Sequence, residues 1–283
     1  MVKNIKRVSK IDRPLSLSEV GKRANNEDSI YPTQGQANTN TRLFLVCDGM
    51  GGTEGGEIAS RVTCEIISEY FLTHVKADSA ISTIEQHIHQ ALEQVQIEFK
   101  SIILEKPHTR KMGTTLALLY IHNQGITIAH IGDSRVYHIQ QTDFWHTEDH
   151  SFVYELYKMG AIDKSEMAVH PKKNMITRVI EGNNETLKPD IKHISKIAKG
   201  DYFMLMSDGI LEAFNDETLV LLMRDNSLTD NEKLEGIRKR CSDFSRDNQS
   251  IIIIKIKNVS PWYMQIFNSI KDLFDSSKAI PSV

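Results

Sequence analysis

The sequence predicts a protein with both α and β elements, in which a pair of amphipathic helices covers a β-sheet. Two long segments, residues 57–75 and 81–102, repeat apolar side chains every three or four positions, which is the spacing of one helix face. Three strand-like segments follow at residues 114–121, 125–131 and 135–139, separated by turn-forming residues. Because the two helices are consecutive and each has one apolar face, we expect them to pack as an antiparallel pair over this sheet.

The other elements can be placed in chain order. Alternation in LSLSEV, residues 15–20, predicts an edge strand, and the apolar run LFLVC, residues 43–47, predicts a short buried strand. The pattern is irregular over about residues 150–189, apart from a short helix at 151–162. Regular elements then return as strands at 191–197, 202–207 and 250–256 and as helices around 216–223 and 231–244. No repeat or linker divides the chain, so we expect one domain over residues 1–257.

The composition indicates a soluble globular protein and excludes several functional classes. The chain has 283 residues, of which 40% are hydrophobic and 25% are charged, and its net charge is -3. Lysine and arginine are scattered, so nothing predicts a nucleic-acid surface. No apolar run approaches the ~20 residues of a membrane span, and no signal-peptide core follows the basic N-terminus. Three cysteines without metal-ligand spacing favour a reducing compartment, and we therefore expect a cytoplasmic protein.

Acidic residues at the ends of predicted strands are the main functional signal. Asp48 follows the strand LFLVC and precedes a glycine cluster, and Asp208 follows YFMLMS in the same way. Further acids lie before or between strands: Asp133 in IGDSR, Asp247 in RDNQS, and Glu27 with Asp28 in ANNEDS. Any one of these is explained most simply as a turn residue or a helix cap. Five such places in one chain instead predict that one edge of the sheet brings the acids together.

Such a group of carboxylates would require cations between its members, because negative charges repel and raise one another's pKa. Oxygen ligands without histidine or cysteine spacing favour the hard ions Mg²⁺ and Mn²⁺. Two such ions, ~3.5 to 4 Å apart, can share one carboxylate and one water, activate that water and neutralise a phosphoryl group during its displacement. A nearby arginine, for instance Arg23, would add bidentate recognition of phosphate.

Seven motifs occur in order along the chain: RANNED, VCDGMGG with EIAS, MGTT, AHIGDSRVY, TEDHS, MSDG and DNQS. This set resembles the metal-dependent protein phosphatases of the protein phosphatase 2C type, bacterial branch, over about residues 17–257. The resemblance implies an α+β fold, a four-layer α-β-β-α sandwich whose central antiparallel β-sandwich is flanked by helix pairs. It also implies hydrolysis of phosphoserine and phosphothreonine in proteins by a metal-bridged hydroxide, which attacks phosphorus in line without a covalent enzyme intermediate.

The resemblance assigns the central metal ligands residue by residue. Asp48 matches the acid that bridges two Mn²⁺ or Mg²⁺ ions, and the carbonyl of Gly49 matches a ligand of one of them. Asp208 and Asp247 match the protein ligands that complete the coordination of the other ion. The resemblance therefore predicts that Asp48 tolerates substitution least.

Four further positions match residues around the two ions. Glu27 and Asp28 match acids that hold metal-bound waters, and Arg23 matches the arginine that binds the substrate phosphate. Asp133 matches the acid that, together with Asp208, binds a third ion in bacterial members of the family. The expected cofactor is thus a pair of Mn²⁺ or Mg²⁺ ions, with a third ion implied by the bacterial branch.

The chain departs from many eukaryotic members of the family at Met50, where those proteins have a histidine proposed as the general acid. Methionine cannot donate a proton, so we expect a metal-bound water to protonate the leaving serine oxygen. Other histidines, His146, His150 and His170, lie in or near the irregular region. We interpret them as ordinary loop histidines, because the metals would already activate water.

Two segments lie outside the motifs. Residues 151–184 match the variable flap beside the active site of the family. In the tail, residues 258–283, the spacing of the apolar residues predicts one apolar helix face: Trp262, Ile266, Phe267, Ile270, Leu273 and Phe274. This face could dock on its own domain, on a partner or on a membrane surface, and docking on its own domain is the simplest of the three.

Two other functions fit the same motifs. A phosphoprotein-binding regulator with weak catalysis would keep the fold but lose metal ligands, and none of the expected acids is missing from the sequence. A partner-switching phosphatase dedicated to one regulatory protein would have the same motifs, so only the flap and the tail would distinguish it. The expected partners are a phosphorylated protein substrate and the cognate Ser/Thr protein kinase that opposes the enzyme.

Overall fold

The computed structural model describes residues 6–51, 54–183 and 186–261. In this part of the chain, two antiparallel β-sheets lie face to face, and helices cover their outer faces. The apolar core is correspondingly divided into a cluster between the sheets and a cluster between each sheet and its helices. This arrangement confirms the expected α+β fold, a four-layer α-β-β-α sandwich.

The elements follow one another along the chain as follows. The strands are β1 (Lys6–Ile11), β2 (Leu15–Glu19), β3 (Asp28–Tyr31), β4 (Leu43–Met50), β5 (Gly113–Thr114), β6 (Leu116–His122), β7 (Gly125–Ile131), β8 (Arg135–Ile139), β9 (Phe144–His146), β10 (Ile180–Glu181), β11 (Asp190–Ile194), β12 (Tyr202–Met206) and β13 (Gln249–Pro261). The helices are α1 (Gly55–His74), α2 (Ile81–Glu105), α3 (Phe152–Lys158), α4 (Lys164–Met167), α5 (Asp208–Leu211), α6 (Asp216–Arg224) and α7 (Asp230–Phe244).

The strands are divided between two sheets. The first sheet has the order β1-β13-β12-β8-β9, and β2 also pairs with β13. The second sheet has the order β10-β5-β4-β6-β7-β11, and β3 also pairs with β4. The pairs at the centre of each sheet are antiparallel. Helices α1 and α2 cover the second sheet, whereas α5, α6 and α7 cover the first.

Strand β4 illustrates how the sequence produces the layers. Side chains alternate between the two faces of a strand, so Leu45 and Cys47 join the cluster under α1 and α2, whereas Phe44 and Val46 join the cluster between the sheets. All four side chains are fully buried. The strand is therefore apolar on both faces, and this explains why it has a continuous apolar run instead of an alternating pattern.

The two long predicted helices are confirmed as α1 and α2. Helix α2 buries one face made of Ile84, Ile88, Ala91, Leu92, Val95 and Phe99, which are the residues that the three-and-four spacing selects. Helix α1 begins two residues before its predicted start, and its first residues, Gly55 and Gly56, are buried. The start of α1 thus lies directly behind the loop that follows Asp48 and Gly49.

The topology differs from the expectations in three respects. The turn GDS does not join hairpin neighbours, because β7 belongs to the second sheet and β8 to the first. The sequence pattern does not predict β1 or β3, since β1 contains three lysine or arginine residues and β3 has only four residues. Strand β13 continues beyond its predicted end to Pro261, where it pairs with the start of β1.

The irregular segment after β9 contains the two short helices α3 and α4, where the sequence predicts one. Ser151 forms an isolated bridge with Ile176, so the chain on either side of α3 and α4 comes together at this pair. The expected end of the flap, residue 184, and the apolar face of the tail, from Trp262 onward, lie outside the described residues. The division of the chain at residue 257 stays a prediction. Of the helices that the structure describes, none combines the length and the apolar character needed to span a membrane.

We expect Phe44→Ala to lower the free energy of unfolding by about 3 to 5 kcal/mol, the usual cost of deleting a buried phenylalanine side chain. Phe44 is fully buried between the sheets, where no polar group can fill the cavity. Urea denaturation followed by circular dichroism measures the change. The matched control is Leu72→Ala, because Leu72 on α1 is 74% exposed. Equal losses in the two variants would contradict the position of Phe44 in the core.

Candidate metal centre

Strand ends from both sheets bring the predicted acids to one edge of the sandwich. Asp28 begins β3 and Asp48 lies near the end of β4, and the two residues are direct partners in the antiparallel ladder. Residues opposite each other in such a ladder have side chains on the same face. Asp208 follows β12 and Asp247 precedes β13, and these two strands are also neighbours. Each sheet therefore supplies one pair of acids.

Hydrogen bonds join the two pairs of acids. The hydroxyl of Ser207 donates to Oδ2 of Asp28 at 2.7 Å, which connects the end of β12 to the start of β3. The carboxyl group of Asp48 lies within hydrogen-bonding reach of the Asp208 carboxyl group. The main-chain N–H of Asp48 donates to the hydroxyl of Thr115 at 2.9 Å, which holds the end of β4 against the neighbouring strand. The four carboxyl groups thus belong to one cluster.

Asp133 joins the cluster from the turn where the chain passes from the second sheet to the first. Gly132, just before it, has a φ of 100°, and a Cβ there would lie 2.5 Å from Cγ2 of Thr115, so only glycine permits this turn. The pKa of Asp133 is raised to about 8, first by burial and then by the negative charges of Asp208 and Asp149. The influence of Asp208 places Asp133 beside the other four acids.

Burial and repulsion also raise the pKa of the central acids. The pKa of Asp28 is raised to about 7 and that of Asp208 to about 6, in both cases first because of burial. The pKa of Asp48 is raised well above its usual range, first by burial and then by the charges of Asp28, Asp208, Asp133 and Asp247. Asp48 is therefore the acid on which the charges of the whole cluster converge.

The carboxylate cluster fits divalent metal ions. Oδ1 of Asp28 and Oδ1 of Asp133 are buried, and neither atom has a hydrogen-bond partner among the described residues. A buried acceptor without a partner is unfavourable, and ionised carboxylates in one buried cluster repel one another. Cations among these oxygens would remove both costs, and an oxygen-only ligand set favours Mg²⁺ or Mn²⁺. The residues present therefore fit the ions that the sequence motifs imply.

Arg23 and Glu27 lie at the rim of the cluster. Nη2 of Arg23 donates to Oδ2 of Asp247 at 2.5 Å, and the Arg23 side chain is 59% exposed. The pKa of Glu27 is raised, first by burial. Its carboxylate approaches the start of α1 so closely that a Cβ at Gly56 would lie 2.6 Å from Glu27 Oε2. The N–H of Gly49 donates to the carbonyl of Glu27 at 3.1 Å, which places the Gly49 peptide at the same edge.

Asn248 supports this loop, and the sequence reasoning assigned it no role. Its amide donates to the carbonyls of Val20 and Asn25, both at 2.8 Å, and its Oδ1 accepts from the N–H of Glu27 at 2.8 Å. Asn248 is 5% exposed and is adjacent to Asp247. One side chain therefore holds the loop of Arg23 and Glu27 against the start of β13. The motif DNQS contains Asn248, but a contact across more than 200 positions has no local signal.

The departure at Met50 and the loop histidines can also be located. Met50 ends β4 beside Gly113 of the neighbouring strand. Nε2 of His146 lies 3.5 Å from Asp216, and Nδ1 of His170 accepts from the N–H of Lys172 at 3.1 Å. The contact of His170 is local, which agrees with its interpretation as an ordinary loop histidine. The interpretation is wrong for His146, which ends strand β9 and contacts the first residue of α6.

A second group of potential ligands, His130, His150 and Asp190, lies near Asp133. The N–H of Gly132 donates to Nδ1 of His150 at 3.0 Å, so this neutral imidazole carries its proton on Nε2. Nε2 faces Asp190 at 3.3 Å and has no lone pair to offer to a metal. Burial lowers the pKa of His150 to about 4, which keeps the ring neutral. The carboxylate cluster is therefore the better metal centre.

Comparison with known proteins identifies the family. A sequence model described as protein phosphatase 2C matches residues 18–242. The chain belongs to the protein phosphatase 2C family. Protein phosphatase PhpP of Streptococcus pneumoniae is 34% identical over 198 residues, which cover 69% of this chain and 77% of that protein. A putative protein phosphatase 2C-type of Streptococcus pyogenes is 30% identical over 236 residues, which cover 82% of this chain and 92% of that protein.

Solved structures of protein phosphatase 2C relatives are similar in fold. The serine/threonine phosphatase PstP of Mycobacterium tuberculosis superimposes with a TM-score of 0.76 at 25% identity, over 88% of this chain and 100% of that one. A serine/threonine phosphatase of S. agalactiae superimposes with a TM-score of 0.74 at 27% identity, over 86% of this chain and 99% of that one. These relatives are bacterial, which supports the expected bacterial branch of the protein phosphatase 2C family.

We expect Asn248→Ala to lower the free energy of unfolding by about 2 to 3 kcal/mol, because it removes three hydrogen bonds worth ~1 kcal/mol each. Thermal denaturation with and without Mn²⁺ measures the effect. The stabilisation by Mn²⁺ should also decrease, since the loop of Glu27 and Asp28 loses its support. Asn231→Ala is the control, because Asn231 is exposed on α7. Wild-type stability of the Asn248 variant would contradict this role.

We expect Mn²⁺ to stabilise the protein more at pH 8 than at pH 6. The pKa values of Asp28 and Asp133 are raised from 3.8 to about 7 and 8, so the folded metal-free protein keeps protons that the unfolded chain has already released. Its stability should therefore decrease as pH rises from about 4 to 8.

The rise in melting temperature at a fixed Mn²⁺ concentration tests this expectation. At pH 8 the ion competes with fewer protons for the same carboxylates, so its effect is larger. Asp48→Asn is the control and should lose most of the Mn²⁺ effect at both pH values. An equal rise at pH 6 and pH 8 in the wild type would contradict the assignment of these acids as ligands.

Proposed function

We propose that this protein hydrolyses phosphoserine and phosphothreonine in proteins and requires Mn²⁺ or Mg²⁺ bound in the carboxylate cluster. The observation that supports this most directly is the convergence of Asp28, Asp48, Asp133, Asp208 and Asp247. Two buried oxygens of this cluster, Oδ1 of Asp28 and Oδ1 of Asp133, lack partners among the described residues. Membership of the protein phosphatase 2C family supports the same reaction. Relatives from Mycobacterium tuberculosis and Listeria welshimeri are named as serine/threonine phosphatases, and we extend that activity to this chain.

We assign the ligands by their positions in the cluster. Asp48 lies where the charges of the other acids meet, and we assign it as the ligand shared by two ions. The carbonyl of Gly49 and the carboxylates of Asp208 and Asp247 are the further protein ligands. Asp28 and Glu27 would hold the ions through water, and Asp133 with Asp208 would hold a third ion.

The bound ions would supply an activated water and neutralise the charge of the phosphoryl group. The protein would hold the substrate phosphate and the ions in the orientation that the reaction needs. Such positioning is the main protein contribution in phosphoryl transfer. Arg23 is the residue for the phosphate itself. It uses Nη2 for Asp247 and remains 59% exposed, so its other N–H groups can donate to phosphate oxygens.

The leaving oxygen of the substrate must receive a proton. Met50 has no proton to give, and among the described residues its neighbours on β4 are the ligands Asp48 and Gly49. Water is therefore the donor that we propose. This proposal agrees with the contact of His146 to Asp216, with the local contact of His170 and with the neutral state of His150.

The two alternative functions are less well supported. A binding protein without catalysis would be expected to lack one or more of the acids, and the whole set is present. A phosphatase dedicated to one regulatory protein would have the same centre, and no specific feature favours it. We further propose a cytoplasmic location with an opposing Ser/Thr kinase, since the three cysteines are free and buried, as expected in a reducing compartment.

We expect Asp48→Asn and Asp208→Asn to reduce turnover of p-nitrophenyl phosphate with Mn²⁺ to background. Each substitution removes a negative ligand from the place where the cluster is most crowded. Asp78→Asn is the control, because Asp78 is exposed in the loop between α1 and α2, at the far end of α1 from Asp48. Circular dichroism verifies folding of each variant. Near wild-type activity in either folded variant of the cluster would reject the mechanism.

A further inference from the structure

Three exposed cations, Lys22, Arg240 and Arg246, lie on the segments next to the pair formed by Arg23 and Asp247, and we call them the basic rim. Lys22 is adjacent to Arg23 in the chain, Arg246 is adjacent to Asp247, and Arg240 lies on the last turns of α7. Within the described ranges, none of the three is paired with a carboxylate. Their positive charges are therefore available to an external anion beside the phosphate-binding arginine.

Lys22 is held in position by a neutral group. Its Nζ donates to the main-chain carbonyl of Asp243 at 3.2 Å, at the C-terminal end of α7. A carbonyl orients the ammonium group but does not neutralise its charge. Lys22 also lines a cavity of about 380 Å³, which includes Gly21, Arg238 and Ser242. Gly21 in this lining packs against the main chain of Asp247, since a Cβ at Gly21 would lie 2.1 Å from the carbonyl of Asp247.

Arg246 and Arg240 complete the rim on the other side. The main-chain N–H of Arg246 donates to Oε2 of Glu212 at 2.8 Å, which fixes the segment while the guanidinium group remains exposed. Nε of Arg240 donates to the carbonyl of Ala213 at 2.7 Å, and its guanidinium stacks over the rings of Phe214 and Phe244. Phe244 is 63% exposed, so it adds an apolar surface between the charges.

Within the described residues, none of the acids near the rim forms an ion pair with Lys22, Arg240 or Arg246. Glu19 is bound by Arg238 at 2.7 Å, and the carboxylate of Glu212 accepts from the main chain of Arg246 and from the hydroxyl of Ser245. Asp243 is exposed, and it contacts Lys22 through its main-chain carbonyl. The rim thus presents three cationic side chains that have no carboxylate partner among the described residues, on a chain whose net charge is -3.

We propose that the basic rim binds acidic residues that flank the phosphorylated residue of the substrate protein. This inference rests on the proposed phosphatase function and specifies its substrate class. The rim lies beside Arg23, so a peptide with its phosphate on Arg23 places neighbouring side chains near Lys22 and Arg246. Exposed guanidinium and ammonium groups recognise carboxylates and phosphates alike. A flanking aspartate, a flanking glutamate and a second phosphorylated residue share the required chemistry.

Three phosphothreonine peptides test the proposal: one with two glutamates on each side, the same sequence with glutamines, and one with a phosphoserine in a flank. The readout is the ratio of kcat/KM between peptides for each protein variant, so that a general loss of activity cancels. We expect the wild type to prefer the glutamate peptide over the glutamine peptide about fivefold at low salt, the scale of a few exposed ion pairs. The preference should decrease at high salt because of screening.

The variants locate the effect. Lys22→Gln combined with Arg246→Gln should bring the ratio close to one, mainly through KM. Lys199→Gln is the matched control, because Lys199 is exposed at the opposite end of β12 from Asp208 and should keep the wild-type ratio. The kcat/KM of the phosphoserine peptide and that of the glutamate peptide are each divided by that of the glutamine peptide. If the phosphoserine ratio is larger, the rim prefers a second phosphate, and if the glutamate ratio is larger, it prefers carboxylates.

Three outcomes would overturn the proposal: a wild-type ratio of one, a ratio that persists in the double variant, and an equal loss in Lys199→Gln. Each of these concerns the flank and leaves the phosphatase reaction intact. By contrast, absence of p-nitrophenyl phosphate hydrolysis by the wild type with Mn²⁺ would reject the phosphatase function itself. The two failures are therefore distinguishable in the same set of measurements.

Discussion

Electrostatic repulsion among five carboxyl groups at one edge of the sandwich is the constraint on which the rest of the structure depends. Burial and the charges of its neighbours raise the pKa of Asp48, and Asp28 and Asp133 each have a buried oxygen without a partner among the described residues. Such a cluster opposes folding whenever its members ionise. The apolar packing between the two sheets, and between each sheet and its helices, must offset that cost. The fold tolerates the unfavourable free energy of this cluster because the cluster lies at the edge of a large apolar core.

The same constraint explains why hydrogen bonds and strand ends hold the surroundings of the cluster in place. Acids that repel one another would separate if their loops could move, and here each is tied to a strand end. Ser207 links the two sheets through Asp28, and Asn248 fixes the loop before β3 with three hydrogen bonds. Glycines allow the main chain to approach closely: a Cβ at Gly209 would lie 1.9 Å from the carbonyl of Asn248. A site built on rigid elements keeps its ligands in place before the ions bind.

The elements that the sequence predicts are those whose signal is local. The periodicity of α1 and α2 and the apolar run of β4 depend on neighbouring residues, and the structure confirms them. Strand β3 escapes prediction because its pairing with β4 is a property of the sheet, not of its own four residues. The passage of the chain from one sheet to the other between β7 and β8 cannot be predicted for the same reason. A glycine turn has the same sequence signal whether it joins strands of one sheet or of two sheets.

The carboxylate positions were accessible from strand ends and motifs, whereas the residues that hold them were not. Asn248 contacts residues more than 200 positions away, and nothing in its neighbourhood indicates this. Likewise, the unpaired state of Lys22 and Arg246 is visible only when the distances to carboxylates are known. Composition describes these cations as scattered, and folding brings them together with Arg23.

The charges of the centre and of the rim also order the steps of binding. A cluster of ionised carboxylates repels a phosphoprotein, which is itself an anion, so the centre accepts substrate only after cations have bound. The basic rim lies outside the metal centre and attracts the acidic substrate. It does so on a chain that is negative overall. Arg23 is bound to Asp247 where the metal centre meets the basic rim. It therefore experiences the electrostatic potential of both. Arg23 therefore connects recognition of the substrate to occupation of the metal centre.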